Sequence, residues 1–370
     1  MARKKRKQPI RVAIVHDWLV GGGAELVVEQ LHKLYPDAPI YTSYATREWR
    51  QRLDDQVRTG WLQYLGFMRK FIPLLRIWWF THLNFKDYDL VISSSGAEAK
   101  GIHVPHETVH INYCHAPTHY YWSRYDQYMQ HPGFGAFDWL ARIGLRALVA
   151  PLRKWDYKAA QRPDYMIANS RHIQREIKKY YDRSSTVIHP PVYIERFQKA
   201  ENQKLPRRGF LVIGRQTPYK RFDIAIEACN ELEQLLTVAG DGPDHGRLRK
   251  LAGHDITFLG KVSDAVAEHE LASAEALIFP GLDDFGITPV EAMAAGTPVI
   301  AYKGGGALDY ILPGKSGEFF TEPTAKSLAE TLRKFKPERY SHPAISVFAQ
   351  RFSRENFQQA MRSYILETLK

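Results

Sequence analysis

The sequence predicts an α/β protein of two domains, with a doubly wound parallel sheet in the second. Three observations carry this. From Gly209 onward, short apolar runs at 210–213, 236–239, 256–259, 276–279 and 298–301 alternate with helix-like spans, the pattern of strands joined by crossover helices. At the other end, residues 10–15 read as a strand that opens through a glycine-rich turn into an apolar-periodic helix ending near Pro36. The length, 370 residues, accommodates two domains of ordinary size, each with its own core.

Composition narrows the class. Hydrophobic residues at 44% and charged residues at 25% fit a soluble globular chain rather than a disordered or membrane-embedded one. The net charge is +11, of which Arg3-Lys4-Lys5-Arg6-Lys7 contribute five; residues 1–9 read as a basic tail suited to an anionic surface or to solubility. Cys114 and Cys229, the two cysteines, fall in different halves and predict neither a disulfide framework nor a zinc knuckle, which suits a reducing cytoplasm. No stretch approaches the ~20 apolar residues of a membrane span, and the run at 10–15 is too short for a signal peptide. Any membrane contact is therefore expected at the surface.

Taken in order, the first strand leads into His16-Asp17-Trp18-Leu19-Val20-Gly21-Gly22-Gly23-Ala24-Glu25. Such a turn lets a ligand approach the backbone. The dinucleotide fingerprint fails, because counting from Gly21 the sixth position is Leu26 and no acid ends the next strand, 39–43. Residues 61–85 interleave Trp61, Tyr64, Phe67, Phe71, Trp78, Trp79 and Phe80 with Arg69, Lys70 and Arg76. They suit an interfacial amphipathic segment or a helix packed on the sheet with basic residues outward.

Residues 89–93 read as a strand. Five histidines follow, His103, His106, His110, His115 and His119. His115 and His119 have the spacing of a zinc helix, but Pro117 lies between them and no glutamate accompanies them, so no metal site is expected. Tyr120, Tyr121, Trp122, Tyr125 and Tyr128 suit a wall facing carbohydrate or lipid. A helix basic on one side spans 140–160, and a strand at 164–168 ends in Asn169-Ser170, where Ser170 can cap the helix 171–181. The polar stretch 196–208 reads as a linker.

In the second domain the first strand opens into Gly214-Arg215-Gln216-Thr217-Pro218-Tyr219-Lys220. An arginine fork plus a lysine on one loop can hold both phosphoryl groups of a diphosphate. Gly314-Lys315-Ser316 is not a Walker loop, because Asp309 stands where its first glycine is needed. Between the strands 276–279 and 298–302, Thr288 reads as an N-cap, Pro289 as the first helical residue, Glu291 as the partner in a capping box, and Gly296 as the stop. The loop 281–287 thus meets a helix N-terminus at a strand's carboxyl end, flanked by Asp283 and Glu291.

Residues 276–302, ALIFPGLDDFGITPVEAMAAGTPVIAY, resemble the signature of the large retaining glycosyltransferase family of the group 1, or family 4, type. Gly214 to Lys220 resembles that family's Gly-Arg-x4-Lys grip, and Gly304-Gly305-Gly306 its glycine turn near the phosphates. The resemblance implies the glycosyltransferase-B fold, two Rossmann-like domains facing across a cleft. On it, residues 10–195 bind acceptor, 209–348 bind nucleotide sugar, and 349–370 cross back to the first domain. It further implies His115, Arg215, Lys220 and Asp283 as catalytic residues. Donor contacts fall on Gly22, Gly23, Gly214, Arg215, Lys220, Asp283, Phe285, Gly286, Ile287, Thr288 and Glu291; acceptor contacts fall on Asp17, Gly22, Gly23, Tyr120, Tyr121 and Trp122. Neither metal nor cofactor is implied.

The segments HDWL, YCHAP and DDFGITPVEAM bring the resemblance nearer to mannosyltransferases of surface-polysaccharide assembly. They imply GDP-mannose as donor, a saccharide or lipid-linked saccharide as acceptor, and a cytoplasmic enzyme at the inner face of the plasma membrane in peripheral contact with anionic lipid. The alternatives are a UDP-sugar-dependent enzyme of the same fold and a non-catalytic nucleotide-sugar-binding protein; no nucleic-acid motif is present. The family pair is Glu-x7-Glu, whereas Asp283 stands first here. The shorter side chain implies a shifted loop, a bridging water or a role for Asp284, and the retained spacing favours Asp283 itself.

Overall fold

The computed structural model describes residues 10–68, 72–130, 135–201 and 205–370. The chain divides into two compact units, one of residues 1–190 and 357–370, the other of 191–356.

The first unit is built on a parallel sheet of seven strands: β1 (Val12–His16), β2 (Ile40–Thr42), β3 (Val57–Arg58), β4 (Leu90–Ser95), β5 (Val109–Cys114), β6 (Tyr165–Ala168) and β7 (Thr186–Val187). Their order is β3-β2-β1-β4-β5-β6-β7. Every residue of β1 is buried; Val12 and Ile14 enter one core cluster and Ala13 and Val15 another. Helices cover both faces, which is why β1 reads as an apolar run from Val12 to Val15. The order reverses between β1 and β4, which pair in parallel register from Val12 with Leu90 to His16 with Ser94. Open α/β sheets bind their ligands outside the carboxyl ends of such a pair.

The second unit repeats the plan with six parallel strands: β8 (Phe210–Ile213), β9 (Leu236–Ala239), β10 (Ile256–Gly260), β11 (Ala276–Phe279), β12 (Val299–Tyr302) and β13 (Gly317–Phe320). The order is β10-β9-β8-β11-β12-β13, with the reversal between β8 and β11. Phe210, Val212 and Ile278 pack on one side and Leu211, Leu277 and Phe279 on the other. Both sheets are those of Rossmann-like domains.

Two stretches differ from the sequence expectation. Residues 196–208 are not linker throughout, since the helix Ile194–Glu201 buries Ile194 and Phe197 in the core of the second unit; residues 202–204 lie outside the described ones. In the span 61–85 the helix Pro73–Thr81 has its one charge, Arg76, buried rather than outward. Its guanidinium makes a two-pronged pair with Glu98, at 2.9 and 2.8 Å, and covers the Trp18 ring. Burial demands such a partner. Arg69, Lys70 and Phe71, like the basic tail 1–9, lie outside the described residues.

The final helix, Arg354–Thr368, buries Phe357, Met361 and Ile365 at a four-residue spacing. They join Val27, Val28 and Leu31 of the helix Gly23–Leu34 in the core of the first unit.

Candidate functional site

In the second unit the loops after β8, β9, β11 and β12 gather at one end of the sheet. Gln216 stitches the first two together. Fully buried, its side-chain amide donates to the Gly240 carbonyl (2.8 Å) and its oxygen pairs with His245 Nδ1 (2.8 Å). A Cβ at Gly240 or Gly242 would overlap the backbone of Gly214 or Gln216. This anchoring leaves the neighbouring Arg215 exposed, with no ionic partner among the described residues. Gln216 falls among the unassigned positions of the Gly214–Lys220 stretch and receives no role from the sequence; only the contact between loops reveals it.

Lys220 closes a short 3-10 turn, Pro218–Lys220, and its ammonium pairs with Asp283 Oδ2. The ammonium also lies 5.5 Å from the Phe279 ring centre. Two residues 63 apart in sequence thus converge between the switch strands β8 and β11. The loop bearing Asp283 is held from the other side, where its carbonyl accepts from Gly306 N (2.9 Å). Side chains at Gly305 or Gly306 would overlap the backbone of Asp283 and Phe285. Tyr310 OH donates to the Phe285 carbonyl (2.9 Å).

The helix after this loop is Ile287–Ala294, and here the expected capping box fails. Gly286 is the N-cap, at φ 87, and no side chain caps the helix; Thr288 and Pro289 lie inside the first turn. The left-handed Gly286 starts the helix two residues earlier than Thr288 could. Its first N–H groups therefore face the loop without a side-chain partner, as an anion site requires. Glu291 lies a turn further on. Its residue is partly accessible, yet desolvation of the carboxyl raises its pKa to about 7, against the lowering effect of Arg196 and reinforced by Asp264 and Glu268.

In the first unit, the carboxyl ends of β1 and β4 are joined by Asp17. Its buried carboxylate accepts from Gly96 N (2.8 Å), Ala97 N (3.0 Å), Ala99 N (2.8 Å) and Ser95 Oγ (3.3 Å). Four donors saturate a carboxylate. Asp17 holds the turn after β4 rather than presenting itself to an acceptor. The glycine turn is fixed similarly, by Glu25 accepting from Val20 N (3.2 Å) and Gly21 N (2.9 Å). Gly22 and Gly23 then stand at the start of the helix Gly23–Leu34, again with no side-chain cap.

His115 lies just past β5, its Nε2 2.7 Å from Ser94 Oγ. His16, the last residue of β1, faces it edge to face at 6.1 Å and donates from Nδ1 to the Ser94 carbonyl at 2.6 Å. That carbonyl can only accept, so the proton is on Nδ1. His16 received no role from the sequence; its signal was the strand end beside a glycine turn. The other histidines disperse: His103 and His106 are exposed, and His110 is buried against Ser93, desolvation lowering its pKa to about 3.

The aromatic wall is also inward. Tyr121 is fully buried, Tyr120 donates to Glu98 Oε1 (2.8 Å), and Trp122 donates to Asp156 Oδ2 (2.7 Å). Asp156, itself buried, pairs with buried Lys100 at 2.6 Å and accepts from Tyr181 OH at 2.7 Å. Of the expected acceptor contacts, Tyr121 is thus closed off by the core it packs into.

A glycine-lined strand end carrying an exposed arginine, a lysine and an open helix N-terminus can hold a doubly charged anion such as a diphosphate. Comparisons with known proteins agree. Residues 193–350 match the glycosyl transferases group 1 family. The alpha-1,3/1,6-mannosyltransferase alg2 of Schizosaccharomyces pombe is 24% identical over 377 residues, covering 84% of this chain and 71% of that protein. Alpha-1,3/1,6-mannosyltransferase ALG2 of Homo sapiens is 27% identical over 246 residues, 56% of this chain and 59% of that one. In fold, the crystal structure of Anabaena Alr3699/HepE in complex with UDP superposes with a TM-score of 0.68 at 17% identity, over 97% of this chain and 100% of that one. Residues 193–350 of the second unit thus carry a glycosyl transferases group 1 domain, in a chain whose two Rossmann-like units have the GT-B fold of its glycosyltransferase neighbours.

Proposed function

We propose that the protein is a retaining hexosyltransferase that moves mannose from GDP-mannose onto a saccharide or lipid-linked saccharide. The observation that carries the reading is the meeting of Lys220 with Asp283 beside the exposed Arg215 at the β8 and β11 strand ends. The mannosyltransferases among its relatives support the sugar. Arg215, Lys220 and the open N-terminus of Ile287–Ala294 hold the diphosphate, and Asp283 accepts from hydroxyls of the sugar. Glu291 meets the ribose.

In the reaction the bond from the sugar C1 to the diphosphate oxygen breaks, and its electron pair leaves with the diphosphate. The acceptor hydroxyl bonds to C1 from the same face and passes its proton to the departing oxygen. Charge builds on the diphosphate, where Arg215 and Lys220 stabilise it. These two cations supply the charge a divalent metal would otherwise bring, so transfer is expected to survive chelator; complete loss restored by manganese would refute this.

The donor is tested by thermal shift with GDP-, UDP- and ADP-sugars, since a ligand selective for the folded state raises the melting temperature. GDP-mannose should give the largest rise. The UDP bound to the Anabaena neighbour favours a second reading; a shift confined to UDP-sugars would move the donor there, and no shift with any of them would sink the transferase proposal.

A further inference from the structure

The longest helix of the first unit, Asp138–Ala159, is anchored at one end only. Its buried residues are Leu152, Asp156 and Ala159, and Asp156 is locked by Lys100, Trp122 and Tyr181. None of residues 138–151 is buried, a length of about 20 Å at the rise of an α-helix. A solvent-facing stretch of this kind is ordinarily charged. Here Trp139 is 60% exposed, Leu140 52% and Ile143 58%, with Phe137 at 63% just before the helix.

Helical spacing puts these residues on one outer face, opposite Leu152 and Asp156. Trp139, Ile143 and Ala147 follow at intervals of four, and Leu140 adjoins them. The same face continues into Lys154 and Lys158 and is edged by Arg146. These three basic residues are exposed and have no ionic partner among the described residues. The helix carries five basic and two acidic residues, and one of the acids is the buried Asp156.

We propose that the outer face of this helix docks the protein onto an anionic lipid bilayer. Indole and aliphatic side chains enter the boundary between headgroups and acyl chains, while Arg146, Lys154 and Lys158 meet the lipid phosphates. No helix among the described residues is long and apolar enough to cross a membrane, so the helix lies in the interface plane. A partner protein would not require the one-signed charge, whereas an anionic surface complements it. This helix is distinct in sequence from the tail 1–9 and from residues 61–85, which the sequence alone suits to a membrane surface. The inference is independent of the donor and acceptor proposed above.

The test uses the full chain and sedimentation with vesicles of equal parts phosphatidylglycerol and phosphatidylcholine, against phosphatidylcholine alone. The wild type should sediment with the anionic vesicles, less so at high salt. The double variant Trp139→Ser/Ile143→Ser should bind at least ~10-fold more weakly. Arg146→Glu/Lys154→Glu should lose the preference for anionic vesicles. The changed side chains are exposed or lie outside both candidate sites, and an unaltered melting temperature and GDP-sugar shift will show that folding and donor binding persist. Wild-type binding in both variants overturns the proposal and returns any membrane contact to the basic tail. A lipid-free dimer that the Trp139→Ser/Ile143→Ser change converts to monomer, with vesicle binding intact, also overturns it, because the face would then belong to a second copy.

Discussion

Lys220 spends its charge on Asp283, so a diphosphate entering the loop must draw Lys220 away. The two alanine variants should therefore separate. Lys220→Ala is expected to weaken binding of the nucleoside diphosphate and to slow transfer by at least ~10²-fold. Asp283→Ala, which releases Lys220, should slow transfer while leaving diphosphate affinity unchanged or tighter, as read by titration calorimetry. Equal loss of affinity in both would show that Asp283 serves the nucleotide instead of the sugar. Glu291 offers a pH test. Its carboxyl rises from an ordinary 4.5 to about 7 in the folded protein through burial, with Arg196, Asp264 and Glu268 facing it. A raised acid binds its proton more tightly when folded, so its contribution to stability is full below about pH 4.5 and is lost as pH climbs through about 7. Glu291→Gln, which stays neutral, should flatten that part of the melting-temperature profile between pH 5 and 8. An unchanged slope would refute the desolvated carboxyl.

At the scale of elements, buried ion pairs decide how helices attach to the first sheet. Lys100 and Asp156, both fully buried, join the Glu98–Gly101 turn after β4 to the Asp138–Ala159 helix. Removing one partner strands the other's charge, at a cost of ~3–5 kcal/mol. Lys100→Met should therefore lower stability by that order in urea unfolding, and Lys100→Met/Asp156→Asn should recover part of it. No recovery would mean that the hydrogen bonds of Asp156 to Trp122 and Tyr181, rather than charge pairing, carry the attachment. These attachments were illegible beforehand because nothing local distinguishes a sequestered Lys100 or Arg76 from a solvated one. Their partners stand 56 and 22 positions away.

At the scale of the whole molecule, the chain leaves the first unit at Pro190 and returns at Phe357. Deleting 357–370 should uncover the positions that Phe357, Met361 and Ile365 fill. The first unit is expected to melt earlier, while the thermal shift from GDP-mannose at the second unit's loops persists; a single undiminished transition would contradict this division. The sequence by itself determined the parallel sheet of the second unit, because strands buried on both faces must be continuous apolar runs; that of the first unit came only with the family resemblance. It also placed Arg215 and Lys220 together on one strand-end loop and Asp283 on another, because glycine turns at strand ends are local features. The two-residue strands β3 and β7 are too short to leave such a run. Tertiary structure alone decided the Lys220 to Asp283 pair, the Gly286 start of the following helix, the burial of Asp17, Arg76 and Tyr121, and the apolar outer face of Asp138–Ala159. Each depends on which distant segment packs alongside, and neither propensity nor spacing encodes that neighbour.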